Sequence, residues 1–294
     1  MGNYKKSICI LVISITLLAL AASFAGLFSG GGPGEYKYLS INGENVRIYG
    51  FGLYKNDSVS VALQGIASDF VTLVLGIPLL LISLYYSIKG SFRARLLLTG
   101  TLGYFLYTYI SYVFLWMYNR FFIVYVILMA LCLYAFILSM MSFDIGRMSA
   151  YFKKDLPVRF LSGYQIFLAL GIGMMWLGKI GPSIFTGAVP AGLEHYTTLV
   201  IQGMDLGIIV PTALLSGVLL LKRNPLGYLL TSVIVFKSIT MLAAITAMMV
   251  NMSIHGVEMN RVEVIAFSIF DLLAIIALIL LLKNASSKAE ISNF

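Results

Sequence analysis

Residues 230–249 read LTSVIVFKSITMLAAITAMM, a run that would pass for a membrane-spanning helix but for Lys237 near its middle. About 20 predominantly apolar residues cross ~30 Å of hydrocarbon as a helix. An ammonium group at that depth costs about 2.5–3.5 kcal/mol on insertion scales. The stretch therefore predicts a buried span and a reason for its lysine. The rest of the chain agrees on the first point. It has 294 residues, is 60% hydrophobic and only 11% charged, with a mean hydropathy of +0.95. Soluble domains carry roughly 25% charged residues. The short alternating segments of a β-barrel are absent.

Eight apolar runs are predicted as spans, at 7–28, 69–89, 95–118, 121–143, 161–184, 198–221, 226–249 and 263–283. The fold class is therefore all-α, a polytopic helical membrane bundle in a single transmembrane domain, with residues 29–68 as an extracytoplasmic loop. The segments between spans alternate in charge. One side holds thirteen Lys/Arg, among them Lys5, Arg93, Lys153, Lys222 and Lys288, against three acids. The other holds six Lys/Arg and seven acids. The positive-inside rule then puts both termini in the cytoplasm of a plasma-membrane protein. The net charge of +8 is read as a topology signal, and no nucleic-acid partner is expected. The lipid bilayer is the expected partner, with a small-molecule solute or a lipid as ligand.

The N-terminal stretch has a rival reading. A basic start, an apolar run and Ser23-x-Ala25 resemble a signal peptide cleaved near residue 25, but a run of about 21 residues exceeds the usual 7–15. A retained span is expected. In the loop, residues 29–34 (SGGGPG) read as a flexible linker. Alternation on both sides of Asn42-Gly43 predicts a small β-hairpin. Asp57 or Ser58 is the N-cap of a helix lying at the outer interface and running into the second span. The loop reads as a lid.

A 4+4 parallel repeat is suggested by two prolines. Pro78 and Pro211 are each followed eleven residues later by a lysine that ends a span, Lys89 or Lys222. Gln64-Gly65 precedes Asp69, and Gln202-Gly203 precedes Asp205. This aligns the two aspartates, with a mismatch of about one turn.

Three ionisable groups stand out inside spans: Asp205, Lys237 and Asp271. At 1.5 Å per residue, Asp205 lies roughly 9–10 Å deep, Asp271 about 12 Å and Lys237 about 16–18 Å. Lys237 is expected to face the bundle interior, paired with Asp205, Asp271 or both. A structural ion pair and a ligand site both satisfy that placement. Pro211 frees the carbonyl of residue 207, and Pro78 that of residue 74. Span 3 is tyrosine-rich. Tyr104, Tyr107, Ser111 and Tyr118 approximate one face, and Phe105, Tyr109, Tyr112 and Trp116 a neighbouring one. Trp116 and Tyr118 fit an interfacial belt, while Tyr104 and Tyr107 are too deep for it. Together these predict an outward-opening ligand pocket, with Asp205, Lys237 and Asp271 as charged centre, Tyr104 and Tyr107 lining it, and Asp69 and Gln202 at its mouth.

Cys9 and Cys132 lie in apolar runs, without disulfide or metal spacing. His195 with Glu194 and the distant His255 makes no metal motif. No HExxH, GxSxG, Walker A or CxxCH signature occurs, and no cofactor or metal is expected. Asn56-Asp57-Ser58 and Asn251-Met252-Ser253 are sequons, relevant only in a secretory eukaryotic setting.

The stretches YGFGLYKNDSVSVALQGIASDFVTLVLGIPLLL, GTLGYFLYTYISYVFLWMYNRFFIVYV and QGMDLGIIVPTALLSGVLLLKRNPLGY carry Gly50-x-Gly52, Tyr54, Asp57, Asp69, Pro78 and Tyr104/Tyr107. They resemble a family of prokaryotic integral membrane proteins generally labelled uncharacterised. The resemblance covers most of the chain and implies a multi-span architecture. It brings no activity and no site residues. Three functions stay open: a transporter or small-molecule-binding protein; a membrane enzyme acting on a lipid-like substrate, with Asp205 or Asp271 as base; and a structural or accessory subunit.

Overall fold

The computed structural model describes residues 4–286. Eight of its helices are long and apolar enough to cross a bilayer: α1 Lys5–Phe28, α2 Val59–Ile88, α3 Phe92–Phe114, α4 Phe122–Met141, α5 Val158–Thr186, α6 Val200–Leu221, α7 Pro225–Ile254 and α8 Arg261–Asn284. The protein is an all-α multi-pass membrane bundle. Its one described sheet is the hairpin expected around Asn42-Gly43. Strands β1 (Tyr36–Leu39) and β2 (Asn45–Ile48) pair antiparallel, Tyr36 opposite Ile48. Gly43 takes the left-handed backbone that the turn requires, φ +79°.

One boundary differs from expectation. The interfacial helix and the second span are a single rod that starts at Val59, capped by the Ser58 hydroxyl, which accepts from the Val61 N–H. Its first turns are as apolar as a span and pack against α7.

Prolines shape α2 and α6 in the same way. Each is preceded by a widened five-residue turn, Thr72–Gly76 in α2 and Asp205–Ile209 in α6. The N–H of Ile77 bonds the carbonyl of Thr72, and that of Val210 bonds the carbonyl of Asp205, both five residues back. A proline inside a helix lacks an N–H and its ring collides with the carbonyl four residues earlier. Widening the preceding turn relieves that clash.

These turns set the register of the repeat. A shift of 133 residues (211 minus 78) carries Pro78 to Pro211 and Lys89 to Lys222. It carries the Ser83 hydroxyl bond to the Leu80 carbonyl onto that of Ser216 to Ala213. The turn that follows each of these helices repeats bond for bond: Ser91 N–H to the Tyr86 carbonyl becomes Asn224 to Leu219. Gly90 at φ +91° becomes Arg223 at φ +52°. Asp205 therefore corresponds to Thr72 and not to Asp69. The Gln-Gly match read from sequence was out of register, because similar residue types drew the alignment away from the proline geometry.

Neighbour relations repeat too. Helices α1–α4 form one four-helix unit and α5–α8 another, each closed through the pairs first–second, second–third, third–fourth and first–fourth. The apolar core is correspondingly double. One cluster includes Ile8, Ile15, Leu80, Tyr104 and Leu128, the other Leu161, Leu168, Leu220, Phe236 and Ala274. The units meet along α3 and α7, where Gly100 lets α3 approach the backbone of α7 at Phe236 and Lys237. Here the symmetry fails. Helix α2 packs along α7, whereas its counterpart α6 scarcely touches α3.

Candidate functional site

The gap between α3 and α6 is a cavity of about 970 Å³. It is bounded by α3, α5, α6, α7 and α8 and by the first turns of α2, and reaches the hairpin face of the bundle, where residues 191–199 and 257–260 form its rim. Asp205, Lys237, Tyr104, Tyr107, Trp176 and Gln202 all line it.

Asp205 opens the widened turn of α6, which turns its carboxylate toward α3 and α5. One oxygen accepts from the Tyr107 hydroxyl at 2.8 Å and the other from the Trp176 indole N–H at 2.8 Å. Lys237 enters from α7 with its stem beside Gly103, and its nitrogen lies 4.4 Å from the centroid of the Tyr107 ring. Cation–π attraction of this kind is worth about 2 kcal/mol or more where water is excluded. Lys237 stands in no ion pair among the described residues. Nor does any described side chain or carbonyl accept a hydrogen bond from it. Part of its surface remains uncovered toward the cavity. Tyr107 thus bridges the two charges: its hydroxyl holds Asp205 and its face receives Lys237.

The same positions in the first unit are neutral. Thr72 corresponds to Asp205 and Tyr104 to Lys237, and their hydroxyls share a hydrogen bond of 3.1 Å. Tyr104 still presents its ring to the cavity.

Two expected site residues lie elsewhere. Asp69 is sealed in the first unit, 3% exposed. It accepts from the Tyr54 hydroxyl at 2.5 Å and the Tyr112 hydroxyl at 3.1 Å. Gly26 of α1 makes the room, for a Cβ there would collide with the carboxylate. Asp271 faces away from the cavity and accepts from the Thr246 hydroxyl at 2.7 Å. The packing of Phe270 against Gly171 and Phe167 sets the rotation of α8, so the next residue, about 100° further round, turns out of the cavity toward Thr246 of α7. The expected pairing of Lys237 with Asp205, Asp271 or both therefore reduces to one indirect partner, Asp205 through Tyr107. Trp116 is not a belt residue either: it is buried, stacked on Tyr112 at 4.4 Å between centroids. Tyr118 is 75% exposed, as a belt requires.

Sequence reading passed over Trp176 and the methionines. An indole far from a span end needs a partner for its N–H, and that signal was available. Met174, Met175, Met241, Met248, Met249, Met252 and Met259 all line the cavity. Methionine fills irregular space and adapts to varied apolar surfaces. Their convergence was invisible in sequence because they come from α5, α7 and the loop before α8.

The rim is fastened to the hairpin loop. Asp57 accepts from the Met117 N–H at 2.9 Å and the Tyr196 hydroxyl at 3.2 Å, and that hydroxyl accepts from the Ser58 N–H at 3.1 Å. Asn56 and His195 meet alongside, carbonyl oxygen to ring nitrogen, at 3.1 Å. Burial pushes the Asp57 carboxyl up to about 7, against the opposing pull of these hydrogen bonds. Burial also raises Glu194 and lowers His195. Among the described residues no three His, Cys, Asp or Glu side chains are grouped so as to hold a metal ion.

No protein-family model, no curated protein and no solved structure matches the chain. The resemblance to a prokaryotic membrane family thus gains no support, and the functional reading rests on the cavity.

Proposed function

We propose that the protein is a plasma-membrane transporter or small-molecule-binding protein, with both termini cytoplasmic and the cavity open to the outside. One observation carries this reading. A cavity within the usual range of ligand sites, roughly 300–1,000 Å³, ends on a lysine whose hydrogen-bond donors the protein leaves unused. A lysine serving only to dock helices would be expected to have its donors met. Asp69 illustrates the satisfied case, with both oxygens engaged and no opening. Asp205, Lys237, Tyr104, Tyr107 and Gln202 form the proposed site, and Asp69 and Asp271 drop out of it. Parallel repeats are a recurrent plan among secondary transporters, which favours transport over passive binding.

The enzyme reading loses support from the same geometry. Both oxygens of Asp205 accept protein hydrogen bonds, and Asp271 faces away from the cavity. Native mass spectrometry of wild type and Lys237→Met in mild detergent tests the proposal. A small molecule retained by wild type and lost from a folded variant is the expected result. Absence of any retained molecule, together with no solute flux in proteoliposomes across a broad screen, would overturn it.

A further inference from the structure

Helices α5 and α8 touch at two levels and part between them. At the deeper level the ring of Phe270 lies 2.7 Å from where a Cβ of Gly171 would stand. Near the rim Lys179 and Glu263 form an ion pair of 3.8 Å. The eight residue steps of α5 from Gly171 to Lys179 span about 12 Å. Counted from the end of α5 at Thr186, that interval lies roughly 10–22 Å down the helix. For a helix protruding slightly from the bilayer, this is the hydrocarbon of the leaflet on the hairpin side.

The wall is open there. Met174 lines the cavity and is 68% exposed, and it continues the exposed stripe of Phe167, Leu170 and Leu177 on α5, none of which lines the cavity. Gly178 also lines the cavity, is exposed, and has nothing within 4 Å of a Cβ position. A helical residue can face both the interior and the surroundings only where no neighbouring helix covers it. The equivalent helices of the first unit, α1 and α4, pack together more extensively, and Ile8, Val12, Ile15 and Ala19 of α1 are fully buried. The surfaces flanking the opening are apolar: Met174, Met175, Val264 and Phe267.

Resting on the ligand site proposed above, we infer that the ligand is an amphipath with an apolar chain and a single anionic head, entering from the surrounding leaflet between α5 and α8. The head is recognised by the unused donors of Lys237, and the chain lies along the methionines and leaves through the opening. Asp205 cannot take a cationic head in its place without surrendering bonds to Tyr107 or Trp176. The acids Glu194 and Glu258 at the rim disfavour a multiply charged anion arriving from solvent.

The probe is palmitate carrying a photoreactive diazirine on its chain, with the full-length protein in phosphatidylcholine nanodiscs. Labelled residues are mapped by mass spectrometry, and Lys237 is monitored by its reaction with an amine-modifying reagent. Labels on Met174, Met175 or Phe267, displaced by unlabelled palmitate, are expected, with Lys237 protected. Lys237→Met should weaken binding about tenfold, as expected for losing a hydrogen bond to a charged group. Gly178→Trp should close the opening and abolish the interior labels, while Gly178→Ala leaves them unchanged. If Gly178→Trp does not fold, Met174→Trp serves at the same edge.

Labels confined to the outward residues Ile184 and Phe185 would overturn lateral entry, as would labelling indifferent to both tryptophans. Acetate separates this failure from that of the site. Protection of Lys237 by acetate but not by palmitate keeps the site and removes the amphipath. Protection by neither removes both.

Discussion

The two halves of this bundle share a backbone and differ in what they do with it. In α2 the proline-widened turn presents Thr72 to Tyr104, and the seam beyond is packed shut. In α6 the same turn presents Asp205 toward Tyr107, with Lys237 in place of Tyr104, and the seam is open. Neutral hydroxyls can satisfy each other in a dry core, as Thr72 and Tyr104 do. A carboxylate and an ammonium that do not pair directly need polar partners or water, and a cavity supplies room for both. The opening and the charges belong together.

Exchanging the pairs should break the comparison most severely. Thr72→Asp with Tyr104→Lys places two charges where both side chains are buried, at the closed edge of the cavity, and is expected to destabilise by roughly 3–5 kcal/mol. The reverse exchange, Asp205→Thr with Lys237→Tyr, should be neutral or stabilising by about 1–4 kcal/mol, because the cavity accepts the change and two desolvated charges disappear. Thermal unfolding in one detergent measures both. Equal costs would mean that the halves are alike and that the charges of α6 and α7 are structural.

The single aspartates sharpen the same contrast. Asp69→Leu leaves the hydroxyls of Tyr54 and Tyr112 without their acceptor in a dry site, a loss of about 2–4 kcal/mol. Asp205→Asn keeps one acceptor oxygen and lies beside a cavity, so its cost should be about 1 kcal/mol. The glycines follow. Gly26→Ala drives a methyl group into Asp69 and should cost about 1–3 kcal/mol. Gly178→Ala meets nothing and should gain up to about 1 kcal/mol from helix propensity.

The smallest effect concerns the rim. The Asp57 carboxyl is pushed up to about 7 by burial, so between the ordinary carboxylate range and that value the folded state holds a proton that the unfolded chain has released. Stability from this contact is therefore largest at low pH, falls as pH rises through that window, and levels off above it. Hydrogen exchange of residues 49–58 at about pH 5 and about pH 8 should show faster opening at the higher pH. Asp57→Asn should remove the difference.

Much of the fold was legible in the chain. Apolar runs of span length, lysines and arginines on alternate sides, a hairpin at Asn42-Gly43 and prolines at matching distances from Lys89 and Lys222 are local or statistical signals, carried by neighbours in sequence. Their physical basis is local as well: hydrocarbon thickness sets helix length, and a proline acts on its own preceding turn. The tyrosine-rich α3 likewise predicted two faces, one now in the core of the first unit and one toward the cavity.

The site was legible only in its ingredients. That Lys237 faces inward follows from the cost of a charge in lipid, and sequence alone determined it. Which groups Lys237 meets depended on the rotation of each helix about its axis. Gly171 admits Phe270 and thereby turns Asp271 outward, and Gly26 admits Asp69 and seals it. Those rotations come from contacts between residues far apart in the chain, through van der Waals fit that no single segment contains. Tertiary structure alone decided that one seam closes, that its twin opens, and that the lysine which interrupts LTSVIVFKSITMLAAITAMM ends up beside an empty space.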